Sequence, residues 1–292
     1  MTVTLNGLKF RKEHTNQLQK YFNQHKSKLL IVQTTNDKDD DLYVKNKVKY
    51  ANKLNVDAEI FKSSIKNAEQ EIINKIKQIV NTAKKTHNIE KLGVIIQQPS
   101  PININNIFTK EFINTDVEGV SDLNYVEFLT AKSTNDEPNV MPCTAIGMID
   151  MLNEYITNNL NQSIKEFYDG KNVLVIGRSQ IVGQPIANMF IHRNSTVTIA
   201  HSHTKNLNQL CNQANIIVSA AGIPNLVTTA KENAIVLDAG INFFNGKLCG
   251  DLSQSLINSQ TLAAYTPTPK GTGPVTVYEL LNNLSKLKRI DK

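Results

Sequence analysis

The chain has 292 residues, enough for two domains that each bury a core of their own. Hydrophobic residues make up 40% and charged residues 20%, a balance that is ordinary for a soluble globular protein. The net charge of +6 comes from basic residues scattered among acidic ones, so no nucleic-acid partner is indicated. Small anionic ligands would account for the same excess.

Neither a targeting signal nor a membrane span is expected from the sequence. The first residues lack the charged-then-apolar pattern of a signal peptide, and no apolar run approaches the roughly 20 residues that a span needs. Cys143, Cys211 and Cys249 are widely spaced and form no metal-ligand pattern, so we expect reduced thiols and no bound metal. These features predict a cytoplasmic protein with no membrane partner.

The first half of the chain alternates predicted strands with amphipathic helices. Apolar β-branched runs predict strands over 28–33, 56–61 and 92–97. Apolar residues at helical spacing predict helices over 41–54, with Val44 and Val48 on its inner stripe, and over 65–83. This alternation favours an α/β domain with a largely parallel sheet.

The second half begins after a polar stretch at 133–140, which predicts a linker. A connecting helix is predicted over 144–160. The last helix is predicted over 275–290, after a turn-rich segment that would return the chain to its first half. We therefore expect two domains, one formed by residues 1–142 plus 275–292 and the other by residues 143–274.

The stretch from 173 to 203 is the most informative part of the chain. A predicted strand over 173–176 ends in Gly177, a second glycine follows at Gly183, and another apolar run opens at Thr196 after helix-compatible sequence. Glycine lets the backbone turn sharply off a strand, and the N–H groups that open the next helix attract anions. The pattern predicts a Rossmann-like βαβ unit that binds a dinucleotide.

The ends of the two strands indicate which dinucleotide this is. The second strand of an NAD-binding unit usually ends in an acidic residue that accepts the ribose hydroxyls, whereas Ser202 and its neighbours carry no carboxylate. Arg178 offers a guanidinium suited to a 2′-phosphate, and Ser179 and Ser202 offer hydroxyl groups. We therefore predict NADP as the cofactor, with a merely solvated Arg178 as the alternative.

A possible substrate site lies in the first half of the chain. Tyr43 and Lys47 are four residues apart, so on a helix they share one face beside the Val44 stripe. Gln97 ends a predicted strand, where α/β domains place ligands. A lysine beside a neutral amide in a closing cleft can serve in proton transfer. From the residues alone, a solvated lysine and a turn-forming glutamine remain the alternatives.

Eight short motifs then occur in one order along the chain. They are Tyr43-x-x-x-Lys47, Gln97-x-Pro99-x-Pro101, Asp116-x-Glu118-Gly119, Pro142-Cys143-Thr144, Gly177-Arg178-Ser179-x-x-x-Gly183, His201-Ser202-x-Thr204, Asp238-x-Gly240-Ile241-Asn242 and Gly273-Pro274-x-Thr276. In order and spacing they resemble the bifunctional methylenetetrahydrofolate dehydrogenase/methenyltetrahydrofolate cyclohydrolase family.

The resemblance implies an N-terminal α/β folate-binding catalytic domain and a Rossmann-like NADP-binding domain, with the C-terminal helix returning to the first. It also implies a homodimer that oxidises methylenetetrahydrofolate and hydrolyses the product to 10-formyltetrahydrofolate, in one-carbon metabolism and purine biosynthesis. The implied catalytic residues are Lys47, Tyr43 and Gln97. The implied folate-binding residues are Glu118, Gly273 and Pro274. The implied cofactor-binding residues are Gly177, Arg178, Ser179, Gly183, Ser202 and Ile241.

Four residues differ from the family pattern, which has Asp at Glu118, an apolar residue at Gln98, Pro at Ala145 and Gly at Lys270. Three other readings stay open at this point. The protein could be a dehydrogenase without cyclohydrolase activity, another NADP oxidoreductase similar to shikimate dehydrogenase, or a divergent paralogue that binds NADP without catalysis.

Overall fold

A computed structural model describes residues 2–34, 38–63, 68–244 and 246–290. The strands are β1 (Val3–Thr4), β2 (Ser27–Gln33), β3 (Asp57–Lys62), β4 (Lys91–Ile96), β5 (Asn172–Ile176), β6 (Thr196–Ala200), β7 (Ile216–Ser219), β8 (Ile235–Asp238), β9 (Asn242–Phe244), β10 (Lys247–Cys249) and β11 (Ala264–Tyr265). The helices are α1 (Gly7–Gln24), α2 (Lys38–Lys53), α3 (Ala68–Thr86), α4 (Ile104–Ile107), α5 (Asp122–Thr130), α6 (Cys143–Tyr155), α7 (Ile164–Tyr168), α8 (Gly183–Ile191), α9 (Leu207–Gln213), α10 (Gln254–Asn258) and α11 (Thr272–Lys286).

The chain forms two compact units. The six-stranded unit consists of Met1–Glu13, Ala131–Glu137 and Pro142–Glu279, and the three-stranded unit consists of His14–Thr130, Pro138–Met141 and Leu280–Lys292. Across the described ranges, no helix combines the length and apolar character that crossing a membrane requires.

The three-stranded unit is built on a parallel sheet in the order β3-β2-β4. Every residue of β4 is buried, as expected of a strand that is covered on both faces. Three isoleucines of α3, Ile72, Ile76 and Ile79, pack in the core with Leu30 of β2. The three predicted strands and both predicted helices are confirmed, although Ile65, where the second helix was expected to start, lies outside the described residues.

The six-stranded unit carries a parallel sheet in the order β1-β11-β8-β7-β5-β6. Strand β5, helix α8 and strand β6 form the predicted βαβ unit. The buried rings of Tyr168 and Phe190 pack edge to face, with centroids 5.9 Å apart. The short antiparallel hairpin β9–β10 follows β8.

The two units divide the chain differently from the predicted limits of 1–142 plus 275–292 and 143–274. The first residues group with the six-stranded unit because β1 pairs with β11, Val3 opposite Ala264. Helix α11 belongs to the six-stranded unit up to Glu279 and to the three-stranded unit from Leu280. The C-terminal helix therefore returns to the first half of the chain as predicted.

The predicted linker over 133–140 is fastened to helix α8 through Glu137. The Glu137 side chain is only 6% exposed, and its carboxylate accepts hydrogen bonds of 2.9 and 3.3 Å from the Arg193 guanidinium. The Nδ1 atom of His192 lies 3.0 Å from the same carboxylate. Because His192 and Arg193 directly follow α8, this segment holds the end of that helix and is not a free linker.

The last residue of β8, Asp238, is a buried carboxylate. Asp238 is 2% exposed, and its two oxygens accept hydrogen bonds from the backbone N–H groups of Gly240 (2.8 Å) and Leu252 (2.9 Å). Burial raises the pKa of Asp238 from 3.8 to about 6, and the Asp251 carboxylate adds to the rise. Backbone hydrogen bonds oppose the shift without cancelling it.

We expect this raised pKa to make stability depend on pH. Since the folded protein holds the Asp238 proton more tightly than the unfolded chain, the stabilisation is complete below about pH 4 and is lost as the pH rises through about 6. A shift of roughly two units corresponds to about 3 kcal/mol. Urea denaturation between about pH 4 and pH 7 should show the unfolding free energy of the wild type falling by about that much relative to Asp238→Asn. Asp136→Asn, at an exposed position of the same unit, is the control substitution. A pH-independent difference would contradict the prediction.

Candidate active site

Lys47 lies on the buried face of α2. Val44, Lys47 and Ala51 are all buried, as is Leu54 directly after the helix, and the spacing of the first three places them on one stripe of α2. Lys47 itself is 4% exposed. The predicted stripe through Val44 and Val48 is wrong in this detail, because Val48 is half-buried and Lys47 takes the inward position.

Three groups surround the Lys47 ammonium. Its Nζ atom lies 3.1 Å from Oε1 of Gln97, 3.6 Å from Oε1 of Glu118 and 5.3 Å from the centre of the Tyr43 ring. A buried charge is tolerated only when it is paired and hydrogen-bonded, and these groups meet that need with a carboxylate, an amide oxygen and an aromatic face. The fold therefore brings together four of the residues predicted for the site.

The Gln97 amide is held in one orientation. Gln97 follows β4, and its backbone N–H donates to the carbonyl of Val32 in β2. Its side-chain Nε2 donates to the Gln98 carbonyl at 2.9 Å, which leaves Oε1 to accept from Lys47. A neutral acceptor is thus aimed at the lysine from the carboxyl end of the sheet.

Glu118 is carried by a loop that Asp116 organises. Asp116 is fully buried, and its backbone forms an isolated parallel bridge with Val94 of β4. Its carboxylate accepts hydrogen bonds from the backbone N–H groups of Gly119 (3.0 Å) and Ser121 (2.9 Å) and from the Asn124 side chain (2.9 Å). In the sequence Asp116 stands out only as part of a motif, because this role depends on a turn that the fold creates.

The charges around Lys47 oppose one another. Burial raises the pKa of Glu118, the positive charge of Lys47 counters that rise, and the nearby Asp116 carboxylate adds to it. A cation, a carboxylate and a neutral amide therefore lie within one small region. Such a set can hold a polar heterocycle and move a proton to or from a bound molecule.

The loop between β5 and α8 depends on two glycines. Gly177 has a φ of +115°, and a Cβ atom at this position would lie 2.5 Å from the carbonyl oxygen of Ala220. A Cβ on Gly183 would overlap the backbone of Gly177. Both positions therefore need glycine because backbone packs against backbone.

The Ser179 hydroxyl accepts hydrogen bonds from two backbone N–H groups at the start of α8. The donors are the N–H groups of Val182 (3.2 Å) and Gly183 (3.4 Å). As an acceptor in both bonds, the hydroxyl keeps its own proton available for an anion. Ser179 thus shapes the loop and can also bind a ligand there.

Arg178 and Ser202 lie at neighbouring strand ends. Ile176 of β5 and Ala200 of β6 are register partners, and each is followed two residues later by one of these exposed polar side chains. The turn after β6 is closed by a hydrogen bond from the His201 N–H to the Thr204 hydroxyl, 2.8 Å long. The Arg178 guanidinium and the Ser202 hydroxyl therefore both lie at the carboxyl ends of neighbouring strands of the sheet.

The remaining predicted residues lie elsewhere in the six-stranded unit. Ile241, three residues after β8, is 58% exposed. Gly273 and Pro274 lie in the first turn of α11 and are half-buried. The Thr272 hydroxyl donates to the Asp238 carbonyl at 2.6 Å, which joins the start of α11 to the end of β8.

Lys270, one of the four residues that differ from the motif pattern, adopts a left-handed backbone conformation with a φ of +84°. Its carbonyl accepts hydrogen bonds from the N–H groups of Gly7 (2.8 Å) and Leu8 (3.3 Å) at the start of α1. A non-glycine residue in this conformation costs about 1–2 kcal/mol. The turn keeps the glycine-type geometry although the residue has changed.

Two family models match the chain. The catalytic domain of tetrahydrofolate dehydrogenase/cyclohydrolase matches residues 5–117, and the NAD(P)-binding domain of the same family matches residues 142–292. These segments contain the Lys47 region and the loop between β5 and α8, respectively.

Similar proteins point the same way. The "Bifunctional protein FolD" of Staphylococcus epidermidis is 34% identical over 298 residues, covering 98% of this chain and 97% of its own. The protein of that name from Clostridium tetani is 32% identical and covers 98% and 99%. A crystal structure of the bifunctional FolD methylenetetrahydrofolate dehydrogenase/cyclohydrolase from Campylobacter jejuni is 27% identical, covers 98% of both chains and superposes with a TM-score of 0.82. The chain therefore belongs to the tetrahydrofolate dehydrogenase/cyclohydrolase family.

Proposed function

We propose that the protein oxidises 5,10-methylenetetrahydrofolate with NADP and then hydrolyses the 5,10-methenyltetrahydrofolate to 10-formyltetrahydrofolate. The observation that carries the proposal is the buried Lys47, with its ammonium 3.1 Å from Gln97 and 3.6 Å from Glu118. Family membership supports both reactions and counts against the alternative of a shikimate-dehydrogenase-like enzyme. We propose residues 1–142 plus 275–292 as the folate-binding domain and 143–274 as the cofactor-binding domain.

The loop between β5 and α8 fits the diphosphate of a dinucleotide. The glycines at Gly177 and Gly183 let the backbone approach closely, and the Ser179 proton is free to donate. Arg178 and Ser202 would hold the 2′-phosphate, and Ile241 would contact the cofactor with its exposed side chain. Bound NADP supplies the acceptor for the hydride that leaves the methylene carbon.

In the dehydrogenase reaction, the main task of this chain is to position the folate substrate. Glu118 would accept hydrogen bonds from the amino and amide groups of the pterin, and Tyr43 would pack on the folate with its ring. Gly273 and Pro274 would line the folate site. Loss of a hydride from the substrate leaves a methenyl cation, which is the substrate of the second reaction.

The cyclohydrolase reaction requires proton transfer. Water adds to the methenyl carbon, a C–N bond breaks, and one proton is released for each 10-formyltetrahydrofolate formed. For this step Lys47 must be the neutral amine: it would take one proton from the attacking water and deliver it to the leaving nitrogen, while the second proton of the water is released. Gln97 would help to hold Lys47 in the protonation state that this step requires, through its 3.1 Å contact. Excluding bulk water around the buried lysine would strengthen these interactions.

Lys47→Met should separate the two activities. The thioether keeps the shape of the side chain and cannot transfer a proton, so we expect hydrolysis of the methenyl compound to fall by about 100-fold or more while NADPH formation continues. An assay that follows NADPH and the methenyl absorbance together measures both. Lys45→Met, at an exposed position of the same helix, is the matched control. If the wild type also accumulates the methenyl compound, the protein is a dehydrogenase without cyclohydrolase activity.

Glu118→Gln should weaken folate binding in both reactions. The substitution keeps the size of the side chain and removes the charged acceptor, so we expect KM for the folate substrate to rise about tenfold while KM for NADP stays the same. Glu118→Asp retains the charge one methylene closer to the backbone and should have an intermediate effect. Steady-state kinetics would check this, with the exposed Glu127→Gln of α5 as control. An unchanged folate KM would exclude Glu118 from the folate site.

We also propose that the protein is cytoplasmic and has a role in purine biosynthesis. We propose further that it is a homodimer whose two copies pair through the edge of the six-stranded sheet. Strand β6 is at the end of the strand order and offers its outer backbone groups for pairing. Ile199 on this strand is 42% exposed, and Ile191 at the end of α8 is 52% exposed. Apolar side chains beside an open strand edge favour association with a second copy.

Ile199→Lys should give a monomer. A lysine on an edge strand disfavours pairing with another strand, and the charge would be costly to bury in an interface. Light scattering after size exclusion gives the mass of the wild type and the variant. Ile60→Lys is the matched control, since Ile60 is 40% exposed on β3, an edge strand of the three-stranded sheet. A monomeric wild type, or a dimer that survives Ile199→Lys, would rule out pairing through β6.

A further inference from the structure

The loop that follows β7 packs directly against the loop proposed to bind NADP. The N–H of Ala220 donates to the carbonyl of Ile176, the last residue of β5. The carbonyl of Ala220 is the atom that a side chain at Gly177 would meet, 2.5 Å from its Cβ. A shift of the loop after β7 would therefore displace the backbone around Gly177.

A single carboxylate holds this loop. Asp251 is fully buried, and its Oδ2 accepts hydrogen bonds from the N–H groups of Ala221 (2.9 Å) and Gly222 (3.2 Å). The Ser219 hydroxyl donates to the same oxygen at 2.8 Å. The other oxygen, Oδ1, accepts from the N–H of Ile223 at 2.9 Å. Three successive backbone N–H groups thus end on one side chain.

The same carboxylate holds a second element of the unit. The side-chain amide of Asn242 donates to Oδ1 of Asp251 at 2.9 Å. Asn242 follows Ile241, and Ile241 and Ile223 both present exposed side chains, 58% and 49% respectively. Gly240 leaves room for this contact, because a Cβ at Gly240 would overlap the Asp251 carboxylate. Asp251 therefore couples two segments with exposed apolar residues.

We infer that Asp251 is a positioning residue for the cofactor. It sets the backbone of residues 220–223 and the position of Ile241, and so it shapes the surface next to the loop that begins at Gly177. A carboxylate suits this task because both of its oxygens only accept hydrogen bonds, and the five groups that hydrogen-bond to them are donors. The inference rests on the proposed dehydrogenase function and adds a residue that does not touch the substrate.

Asp251→Asn tests the inference. The asparagine would turn an NH₂ group toward either the Ala221 and Gly222 N–H groups or those of Ile223 and Asn242, so part of the loop would lose its acceptor. We expect KM for NADP in the dehydrogenase reaction to rise about tenfold or more. Hydrolysis of added methenyltetrahydrofolate needs no NADP and should stay within about twofold of the wild type. A variant that merely folded poorly would lose both activities.

Asp116→Asn is the matched comparison in the other unit. Asp116 is also a buried carboxylate that accepts backbone N–H groups, yet it holds the loop of Glu118. This variant should raise KM for the folate substrate in both reactions and leave KM for NADP unchanged. Asp251→Asn would then raise KM for NADP alone, and Asp116→Asn would raise KM for the folate substrate alone. General destabilisation does not produce this pattern.

The outcomes are distinguishable. A wild type without NADP-dependent oxidation would defeat the proposed function itself. A working wild type together with an Asp251→Asn variant of unchanged NADP KM would overturn the inference alone. If Asp251→Asn does not fold, Asn242→Ala decides, because it removes one of the five donors, and we expect it to raise NADP KM about threefold. An unchanged KM in Asn242→Ala would then count against the role of Asp251.

Discussion

A buried ammonium needs partners, and this requirement joins the parts of the three-stranded unit at one point. Lys47 reaches the interior because it occupies the inward stripe of α2 between Val44 and Ala51. Its charge can remain there only while Gln97 at the end of β4 and Glu118 on the neighbouring loop face it. Helix, strand end and loop are therefore constrained together, and the proposed chemistry depends on that constraint.

Both units use a buried aspartate to shape a loop at the carboxyl end of a parallel sheet. Chain leaving such a strand turns sharply, and its N–H groups lose their partners in the sheet. Asp116 collects these groups near Glu118, and Asp251 collects them after β7. A charged acceptor makes stronger hydrogen bonds than a neutral one, which offsets the cost of burying it. The side chains proposed to contact ligands are thus supported by carboxylates that are not proposed to do so.

Much of the fold follows from local pattern. The apolar runs of β2, β4 and β5 predict buried strands because strands covered on both faces lack polar positions. Gly177 and Gly183 mark the loop before α8, since only glycine allows the close backbone approach found there. Local features of this kind are visible in the sequence without knowledge of the partners.

The features that local pattern does not reveal depend on distant residues. The burial of Lys47 requires Gln97, which is 50 positions away, and a lysine on a helix is ordinarily solvated. Glu137 lies in a polar stretch, and only the fold brings Arg193 to it, 56 positions along the chain. Asp251 follows a hairpin, and its donors come from two separate segments. No local pattern distinguishes such residues from ordinary surface charges.

Helix α8 is secured at both of its ends. At its start, the Ser179 oxygen and the packing of Gly183 on Gly177 define the loop, and at its end Arg193 and Glu137 form a largely buried ion pair. A binding loop that is already ordered loses little conformational entropy when a ligand arrives. If NADP binds there as proposed, the free energy of association goes into recognising the cofactor, because the loop does not need to become ordered first.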